Sequence, residues 1–356
     1  MFTVSLCMIV KNEQQVLQRC IESIKDFTDE IIIVDTGSTD LTKEIAQKYG
    51  SVYDFKWCDD FSKARNFAFS KAKSDYIMWL DADDVIKKES LDKLLNWKKT
   101  QNSNEIDVVM MPYHLDIDEN GNSNFIYYRE RILKNKAGFI WQGAVHECIQ
   151  PTGKIVYLDI PVEHHKEKES KLSDRNLKIY QKQLKKDGTL DARSKFYYAR
   201  ELMTHKMFEK AVNMFEGFIN DENGWIENKI EALRNLSYCF MMQNQIENAK
   251  KSLLNAFLLD EPRAEICCDL AMIFVKQEQY DKAKFWYKTA YKCFPDAKKG
   301  GFTQIDCYGY IPCIGLCVCY DYLGQKDKAI KWNEKAGIFK PDSKAVLHNR
   351  AYFNNV

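Results

Sequence analysis

The chain has 356 residues, of which 45% are apolar types and 29% are charged, a balance typical of a soluble protein large enough for two domains. Its 52 basic residues offset 51 acidic ones, leaving a formal charge of +1. This disfavours the broad basic face that nonspecific nucleic-acid binding requires, so we expect no nucleic-acid partner. No apolar run approaches the roughly 20 residues that a membrane-spanning helix needs, so we expect no membrane span.

The start of the chain and its cysteines bear on location. The first ten residues are apolar but carry no basic leader, and the chain continues into Lys11 without a small-residue cleavage site. That pattern disfavours a signal peptide. The twelve cysteines are scattered, as is typical of reduced thiols in a large chain without a secretion signal. We therefore expect a cytoplasmic protein.

The first half of the chain alternates strand and helix patterns. Strands are predicted at residues 3–10, 30–35, 51–57 and 76–80. Helical periodicity predicts helices at 13–26, 39–49 and 61–73, and Ser38 is the expected N-cap of the second helix. The run EIIIVD at 30–35 is typical of a strand buried on both faces. This alternation predicts an α/β domain with right-handed crossovers and a mainly parallel sheet, completed by short strands between Ile106 and Val162.

The last part of the chain repeats a pair of helices. Each pair carries an alanine at the same position of its second helix, namely Ala211, Ala249, Ala283 and Ala329. The middle two repeats are 34 residues apart, the tetratricopeptide period. Such units bury their apolar faces only by stacking, so an all-α repeat domain is predicted. The expected division is 1–165 for the α/β domain, 166–191 for a linker helix, 192–343 for the repeats and 344–356 for a tail.

Polar clusters follow the predicted strands of the α/β domain. They are Lys11-Asn12-Glu13, Asp35-Thr36-Gly37-Ser38-Thr39-Asp40, Asp59-Asp60-Phe61-Ser62 leading to Arg65-Asn66, and Asp81-Ala82-Asp83-Asp84. Ligands of open parallel sheets bind outside the carboxyl ends of the strands. The clusters therefore predict one ligand site at that edge of the sheet.

The acidic cluster has two interpretations. In an extended chain, Asp81 and Asp83 point to the same side and can share one ligand. Hard cations such as magnesium or manganese, carried with a diphosphate, suit such carboxylates. The other interpretation is a solvated turn that ends the strand and caps a helix. The sequence contains neither G-x-x-x-x-G-K-[ST] nor G-x-G-x-x-G, so a bound diphosphate would depend on metal and side chains.

Four motifs in order carry a family resemblance. They are VSLCMIVKNE, IVDTGSTD, FSKARN and WLDADD, and together they make residues 1–165 resemble a family 2 glycosyltransferase with a GT-A nucleotide-sugar-binding fold. With the tetratricopeptide-like tail, the layout is similar to the glycocin peptide S- and O-glycosyltransferases of the sublancin type. The resemblance implies a nucleotide-sugar transferase with a divalent metal, manganese or magnesium.

Roles at the donor side follow from this resemblance. It implies that Asp35 hydrogen-bonds the uracil of a UDP-sugar, with Asn12 and Glu13 beside the nucleotide. Arg65 would approach the nucleotide or diphosphate, where a guanidinium suits phosphate oxygens. Asp81 would contact the ribose or the sugar.

Metal ligands and acceptor-side residues follow in the same way. Asp83 and His164 are the implied metal ligands, with His165 as the alternative to His164. The stretch Trp141-Gln142-Gly143-Ala144-Val145-His146-Glu147 matches a motif on the acceptor side of the sugar, with Trp141 counted among the donor-binding residues. Glu147 is the implied base that takes the acceptor proton, and His146 is the second choice. The other interpretation makes Trp141 a core residue and Glu147 a surface ion-pair partner.

Three hypotheses for function result. The first is a metal-dependent inverting glycosyltransferase that moves a hexose, most simply glucose, from a UDP-sugar to a Cys or Ser/Thr side chain of a bacteriocin precursor. The second keeps the catalytic domain but makes the acceptor a cell-envelope saccharide. The third is a repeat scaffold whose α/β half binds nucleotide without chemistry. The repeats are expected to grip the acceptor peptide or to form a homodimer.

Overall fold

The computed structural model describes residues 2–101, 105–117, 121, 123–165 and 173–355. The chain divides into two compact units, Met1–Thr189 and Leu190–Val356. Residues 166–172 of the predicted linker lie outside the described residues. In the part of the chain that the structure describes, no helix is long and apolar enough to cross a membrane.

The first unit alternates strands and helices and then continues in short strands. Its elements are β1 (Val4–Val10), α1 (Leu17–Ile24), a 3-10 turn (Lys25–Phe27), β2 (Glu30–Asp35), α2 (Thr42–Gln47), β3 (Ser51–Asp54), α3 (Phe61–Phe69), β4 (Tyr76–Trp79), β5 (Asp84–Val85), α4 (Lys88–Thr100), β6 (Val108–Ile117), β7 (Ser123–Lys134), β8 (Ile155–Tyr157), β9 (Val162–His164) and α5 (Arg175–Asp187).

These strands form one mixed sheet. The hydrogen-bonded order is β3-β2-β1-β4-β7-β6-β9-β5, and β8 also pairs with β6. The four strands β3, β2, β1 and β4 are parallel to one another, whereas β7 runs antiparallel to β4 and to β6. The predicted α/β domain with a mainly parallel sheet is confirmed.

Apolar side chains cover both faces of this sheet. On β2, Ile33 packs into one cluster with α1, whereas Ile32 and Val34 pack into the other with α3. The prediction that this strand is buried on both faces is confirmed. Because successive side chains of a strand alternate between faces, a continuous apolar run is needed for such burial.

The expected N-cap at Ser38 is wrong. Helix α2 begins at Thr42, and the hydroxyl of Ser38 instead accepts a hydrogen bond from the backbone N–H of Asn12 at 3.0 Å. The carboxylate of Asp35 accepts from the backbone N–H groups of Gly37 and Ser38. The segment therefore folds as a turn around Asp35 before the helix starts.

The second unit consists of helices packed in pairs. They are α6 (Ala192–Thr204), α7 (Phe208–Ile219), α8 (Ile226–Met242), α9 (Ile246–Asn255), α10 (Ala264–Lys276), α11 (Tyr280–Lys292), α12 (Tyr310–Tyr322), α13 (Lys326–Phe339) and α14 (Lys344–Asn354), with 3-10 turns at Ala256–Leu258, Ala297–Lys299 and Ile305–Tyr308 and a two-residue strand β10 (Thr303–Gln304). Each predicted repeat corresponds to one pair, from α6–α7 to α12–α13. The repeat alanines are fully buried, namely Ala211, Ala249, Ala283 and Ala329. The predicted helical-repeat domain is confirmed.

Glycines in two of these helices allow a matched test of close packing. A Cβ built on Gly315 of α12 would lie 2.3 Å from the ring of Tyr287, whereas one on Gly217 of α7 meets nothing within 4 Å. We expect Gly315→Ala to lower the free energy of unfolding by about 1–3 kcal/mol through overpacking. Gly217→Ala is the control and should raise it by about 0.5–1 kcal/mol because alanine favours helix. Urea denaturation of both variants measures this, and equal shifts would contradict the close helix contact.

Candidate functional site

The carboxyl ends of β1, β2 and β4 meet at one edge of the sheet because these strands are parallel neighbours. Residues following them are thereby brought together, as predicted for a ligand site at this edge. Asn12 adopts a positive φ of 57°, and its side-chain oxygen accepts from the backbone N–H of Thr39 at 2.8 Å. The backbone N–H of Glu13 donates to the hydroxyl of Thr42 at 2.7 Å. Asn12 and Glu13 thus join the end of β1 to the segment after β2.

Asp35 lies at the end of β2 and is 4% exposed. Its two oxygens accept backbone N–H groups of the following turn, with Oδ2 at 3.0 Å from both Gly37 and Ser38. A carboxylate held by backbone donors has a fixed orientation. Asp35 therefore offers its oxygens from one defined position at the sheet edge.

Two short antiparallel strands, β5 and β9, bring the acidic residues that follow β4 close to a histidine. β5 pairs with β9 so that Asp84 lies opposite His164, and β9 also pairs with β6. Asp83 Oδ1 lies 3.3 Å from His164 Nδ1, and both side chains are about a quarter exposed (25% and 23%). His165 turns elsewhere, since its Nε2 lies 2.9 Å from Glu163 Oε2. Of the two candidate histidines, the structure brings His164 to Asp83.

This group has the composition of a hard-metal site. Ligand atoms of Asp83, Asp84 and His164 all lie within 4.8 Å of one another. Carboxylate oxygens with one imidazole suit manganese or magnesium, so these residues fit a divalent ion. Burial lowers the pKa of His164, but its hydrogen bonds with Asp83 and Asp84 outweigh burial and raise the pKa to about 10.

Arg65 bridges Asp81 and Glu147, the residue predicted to act as the base. Its Nε donates to Glu147 Oε1 and its second terminal nitrogen donates to Asp81 Oδ1, both at 2.6 Å. Arg65 is 8% exposed. Loss of solvent raises the pKa of Asp81, but the charges of Arg65 and Arg131 outweigh it and hold the pKa at about 2. Arg65 therefore keeps Asp81 ionised and holds the carboxylates of Asp81 and Glu147 close together at the edge of the site.

Aromatic rings pack around these charges. The guanidinium of Arg65 lies 5.1 Å from the ring centre of Trp79 and 4.7 Å from that of Trp141. Trp141 is buried at 2% exposure, and its Nε1 is a buried donor without a hydrogen-bond partner among the described residues. Cation–π contact stabilises a guanidinium that has lost water. Trp141 is thus a core residue whose ring packs against the guanidinium of Arg65.

The loop that carries Glu147 is tied to helix α3. The side-chain amide of Asn66 accepts from the backbone N–H of Trp141 at 2.8 Å and donates to its carbonyl at 3.0 Å. The backbone N–H of Phe61 donates to the carbonyl of Ala144 at 2.8 Å. His146 adopts a positive φ of 52°, a conformation that costs energy in a residue with a side chain. The loop therefore has a defined shape that directs Glu147 towards Arg65.

Five further residues complete this region, and the sequence had indicated no individual role for any of them. They are Trp79, Asp84, Tyr113, Arg129 and Arg131. Trp79 and Asp84 belong to the WLDADD motif, and Asp84 also belongs to the acidic cluster predicted to lie at the site. Tyr113, Arg129 and Arg131 lie on β6 and β7. The alternating pattern of a strand shows which face a side chain is on, but not which residue it contacts.

The comparisons with known proteins agree with the two-part architecture. Residues 5–153 match the model of glycosyl transferase family 2, and residues 264–296 match a tetratricopeptide repeat. The first unit therefore contains a family 2 glycosyl transferase domain with the GT-A-like sheet described above, and the second contains tetratricopeptide repeats. The predicted family resemblance and the transferase class of this domain are confirmed.

Individual relatives are more distant. The glycosyltransferase SunS, encoded by the SPbeta prophage of Bacillus subtilis, is 28% identical over 68% of this chain and 60% of its own length. A TPR repeat-containing protein of Synechococcus elongatus is 49% identical over 24% of this chain and 22% of its own length. The chain thus spans less than two thirds of either relative. Among solved structures, S. aureus TarS 1-349 is 14% identical over 78% of this chain and 91% of that one, with a TM-score of 0.37.

The fully buried pair of Arg131 and Asp84 allows a stability test. Their atoms lie 2.9 Å apart and both side chains are 0% exposed. Arg131→Met leaves the Asp84 charge buried without its cation, and we expect a loss of about 3–5 kcal/mol in the free energy of unfolding. Asp84→Asn should lower the free energy of unfolding less in the Arg131→Met background than in the unchanged protein, because both substitutions remove the same interaction.

Chemical denaturation of the single and double variants measures this coupling. Lys43→Met is the matched control, since Lys43 pairs with Asp54 at 2.6 Å but the two are 42% and 72% exposed. A pair so exposed contributes at most about 1 kcal/mol. Additive losses for Arg131 and Asp84 would contradict their pairing.

Proposed function

We propose that the chain is a metal-dependent, inverting glycosyltransferase that transfers a hexose, glucose, from a UDP-sugar to a Cys or Ser/Thr side chain of a bacteriocin precursor peptide. The observation that carries this proposal is the convergence of Asp35, the Asp83–His164 pair and the Arg65–Glu147 pair at one sheet edge of a family 2 glycosyl transferase domain.

The donor side is supported by the turn after β2. Asp35 is oriented by two backbone N–H groups, and its remaining lone pairs are the acceptors that a uracil N–H needs. Asn12 and Glu13 stand beside it at the end of β1. In this proposal, Asp81 contacts the ribose or sugar, and Arg65 stands between that carboxylate and Glu147.

Asp83 and His164 are the proposed ligands of manganese or magnesium. When bound, such an ion supplies positive charge to the diphosphate of the departing UDP. Both ligands are partly exposed at the sheet edge. Asp81, by contrast, is already paired with Arg65, so the two acidic residues of the motif have different tasks.

Glu147 is the proposed base, with His146 as the second choice. An inverting transfer is a single displacement in which a base must take the acceptor proton. Arg65 donates to Oε1 of Glu147, and we assign Oε2 to the acceptor. A cysteine acceptor needs less help from the base, since a thiol of pKa about 8.5 ionises more readily than a hydroxyl.

The acceptor and the setting belong to the same proposal. A peptide acceptor is supported by the resemblance to the glycocin peptide glycosyltransferases and by a repeat unit of a kind that offers extended surfaces for polypeptide. The repeats bind the precursor peptide or form a homodimer, and the protein acts in the cytoplasm.

Release of UDP from UDP-glucose tests the catalytic assignment. We expect turnover that requires manganese or magnesium, a loss to background in Asp83→Ala, and a 10²–10⁴-fold loss in Glu147→Gln, the range typical of general acid–base catalysis. Asp54→Asn, at a 72% exposed carboxylate, is the control and should keep full activity. Binding of UDP-glucose without turnover in any metal, with candidate peptides present, would favour the scaffold hypothesis.

The acceptor is tested by mass spectrometry of products. Incubation with UDP-glucose and a Cys- and Ser-containing bacteriocin precursor should add one hexose, about 162 Da, to the peptide, and Glu147→Gln should slow this step as it slows UDP release. Transfer to envelope saccharides with no change in the peptide would contradict the peptide acceptor while leaving the transferase assignment intact.

A further inference from the structure

The hydroxyl of Tyr113 lies between two residues of the candidate metal site. It is 2.7 Å from Asp84 Oδ1 and 2.9 Å from His164 Nδ1. Tyr113 is 5% exposed, and its ring meets the His164 ring edge-on with centres 5.7 Å apart. The position follows from the sheet, because β6 and β9 are parallel neighbours with Tyr113 opposite Val162.

The chemistry of these groups determines the direction of both hydrogen bonds. A tyrosine hydroxyl has one proton to donate, and an ionised carboxylate only accepts. The hydroxyl therefore donates to Asp84, and its oxygen accepts from His164. The nitrogen that donates is Nδ1, which also lies 3.3 Å from Asp83 Oδ1. Nδ1 therefore keeps its proton, and Nε2 is the nitrogen that would give up its proton to a metal.

Both oxygens of Asp84 already accept hydrogen bonds from other protein groups, so Asp84 is better placed to orient the metal ligands than to bind the metal itself. Its Oδ1 accepts from Tyr113, and its Oδ2 accepts from Arg131 at 2.9 Å and from the backbone N–H of Asp81 at 3.0 Å. Asp84 is fully buried, whereas Asp83 is 25% exposed. An incoming ion would have to break these bonds to use Asp84.

Arg131 fixes Asp84 in turn. Its guanidinium lies 4.0 Å from the ring centre of Trp79 and 4.4 Å from that of Tyr113, and it also donates to the carbonyl of Trp79 at 3.3 Å. Two of its nitrogens, Nε and one terminal nitrogen, are buried without partners among the described residues. Such a costly placement of a charge indicates that its contact with Asp84 matters.

We propose that Tyr113 is a positioning residue for His164: held by Asp84 and Arg131, it fixes the ring in the Nδ1–H form and presents Nε2 to a divalent cation. The inference rests on the proposed metal-dependent function and assigns Asp84 to the support of the site. Groups that orient a metal-bound histidine commonly contribute 10- to 100-fold in metal affinity.

Titration of Mn²⁺ into the full chain in the presence of UDP, by calorimetry, tests the proposal. Tyr113→Phe should bind Mn²⁺ about 10- to 100-fold more weakly than the unchanged protein. Tyr76→Phe is the matched control: Tyr76 is also buried, its hydroxyl donates to the carbonyl of Ile106 at 2.6 Å, and it starts β4 at the end away from Asp81. It should lose none of the affinity.

A second measurement separates positioning from a general structural effect. In ¹⁵N-histidine spectra of the metal-free protein, His164, identified by its loss in His164→Asn, should show a protonated Nδ1 that Tyr113→Phe alters and Tyr76→Phe preserves. Equal Mn²⁺ affinity and an unchanged His164 signal in folded Tyr113→Phe would overturn the positioning role. Failure of the unchanged protein to bind Mn²⁺ with UDP would instead overturn the proposed metal dependence, and this inference with it.

Discussion

The candidate site depends on three guanidinium groups packed around one tryptophan, and two of them, those of Arg65 and Arg131, are buried. Arg65, Arg129 and Arg131 lie 5.1, 4.7 and 4.0 Å from the ring centre of Trp79. Each is also paired with a carboxylate, since Arg65 contacts Asp81 and Glu147, Arg129 contacts Glu130 and Arg131 contacts Asp84. Charges buried in a sheet are tolerated only when they are paired. The end of β4 is therefore fixed by cations that come from α3 and β7.

This arrangement divides the acidic motif into separate tasks. Asp81 and Asp84 are bound by arginines, whereas Asp83, two residues after Asp81, stays partly exposed beside His164. Four carboxylates that repel one another would not remain together unless cations lay between them. Arginines supply that charge for Asp81, Asp84 and Glu147, whereas the fourth carboxylate, Asp83, faces His164 and stays partly exposed. The division explains how one carboxylate-rich turn can both stabilise the fold and offer a candidate metal site.

The sequence predicted elements whose signal is local. The run EIIIVD gave the bounds of β2 without error because an uninterrupted apolar run ends where polar residues begin. Ser38 was misassigned because its hydroxyl meets Asn12, 26 residues away, and no local pattern reveals such a contact. Arg131 and Tyr113 were missed for the same reason: they contact Asp84 from β7 and β6, strands that lie far from Asp84 in the sequence. The sequence motifs identified residues that contact the ligand in the resembled family. They did not identify the residues that fix the positions of those side chains.

The two units also differ in what they contribute to the proposed reaction. All ten residues predicted for the site, from Asn12 to His164, belong to the first unit. In the proposed reaction, donor binding, metal ligation and proton transfer would thus all be provided by residues of the sheet edge and its loops. The repeat unit instead carries buried alanines that let paired helices pack closely. Stacked helix pairs of this kind form extended surfaces. In the proposed function, the repeats would hold the acceptor or assemble two copies. Under that proposal, we expect variation in the repeats to change which acceptor is used more than how the sugar is transferred.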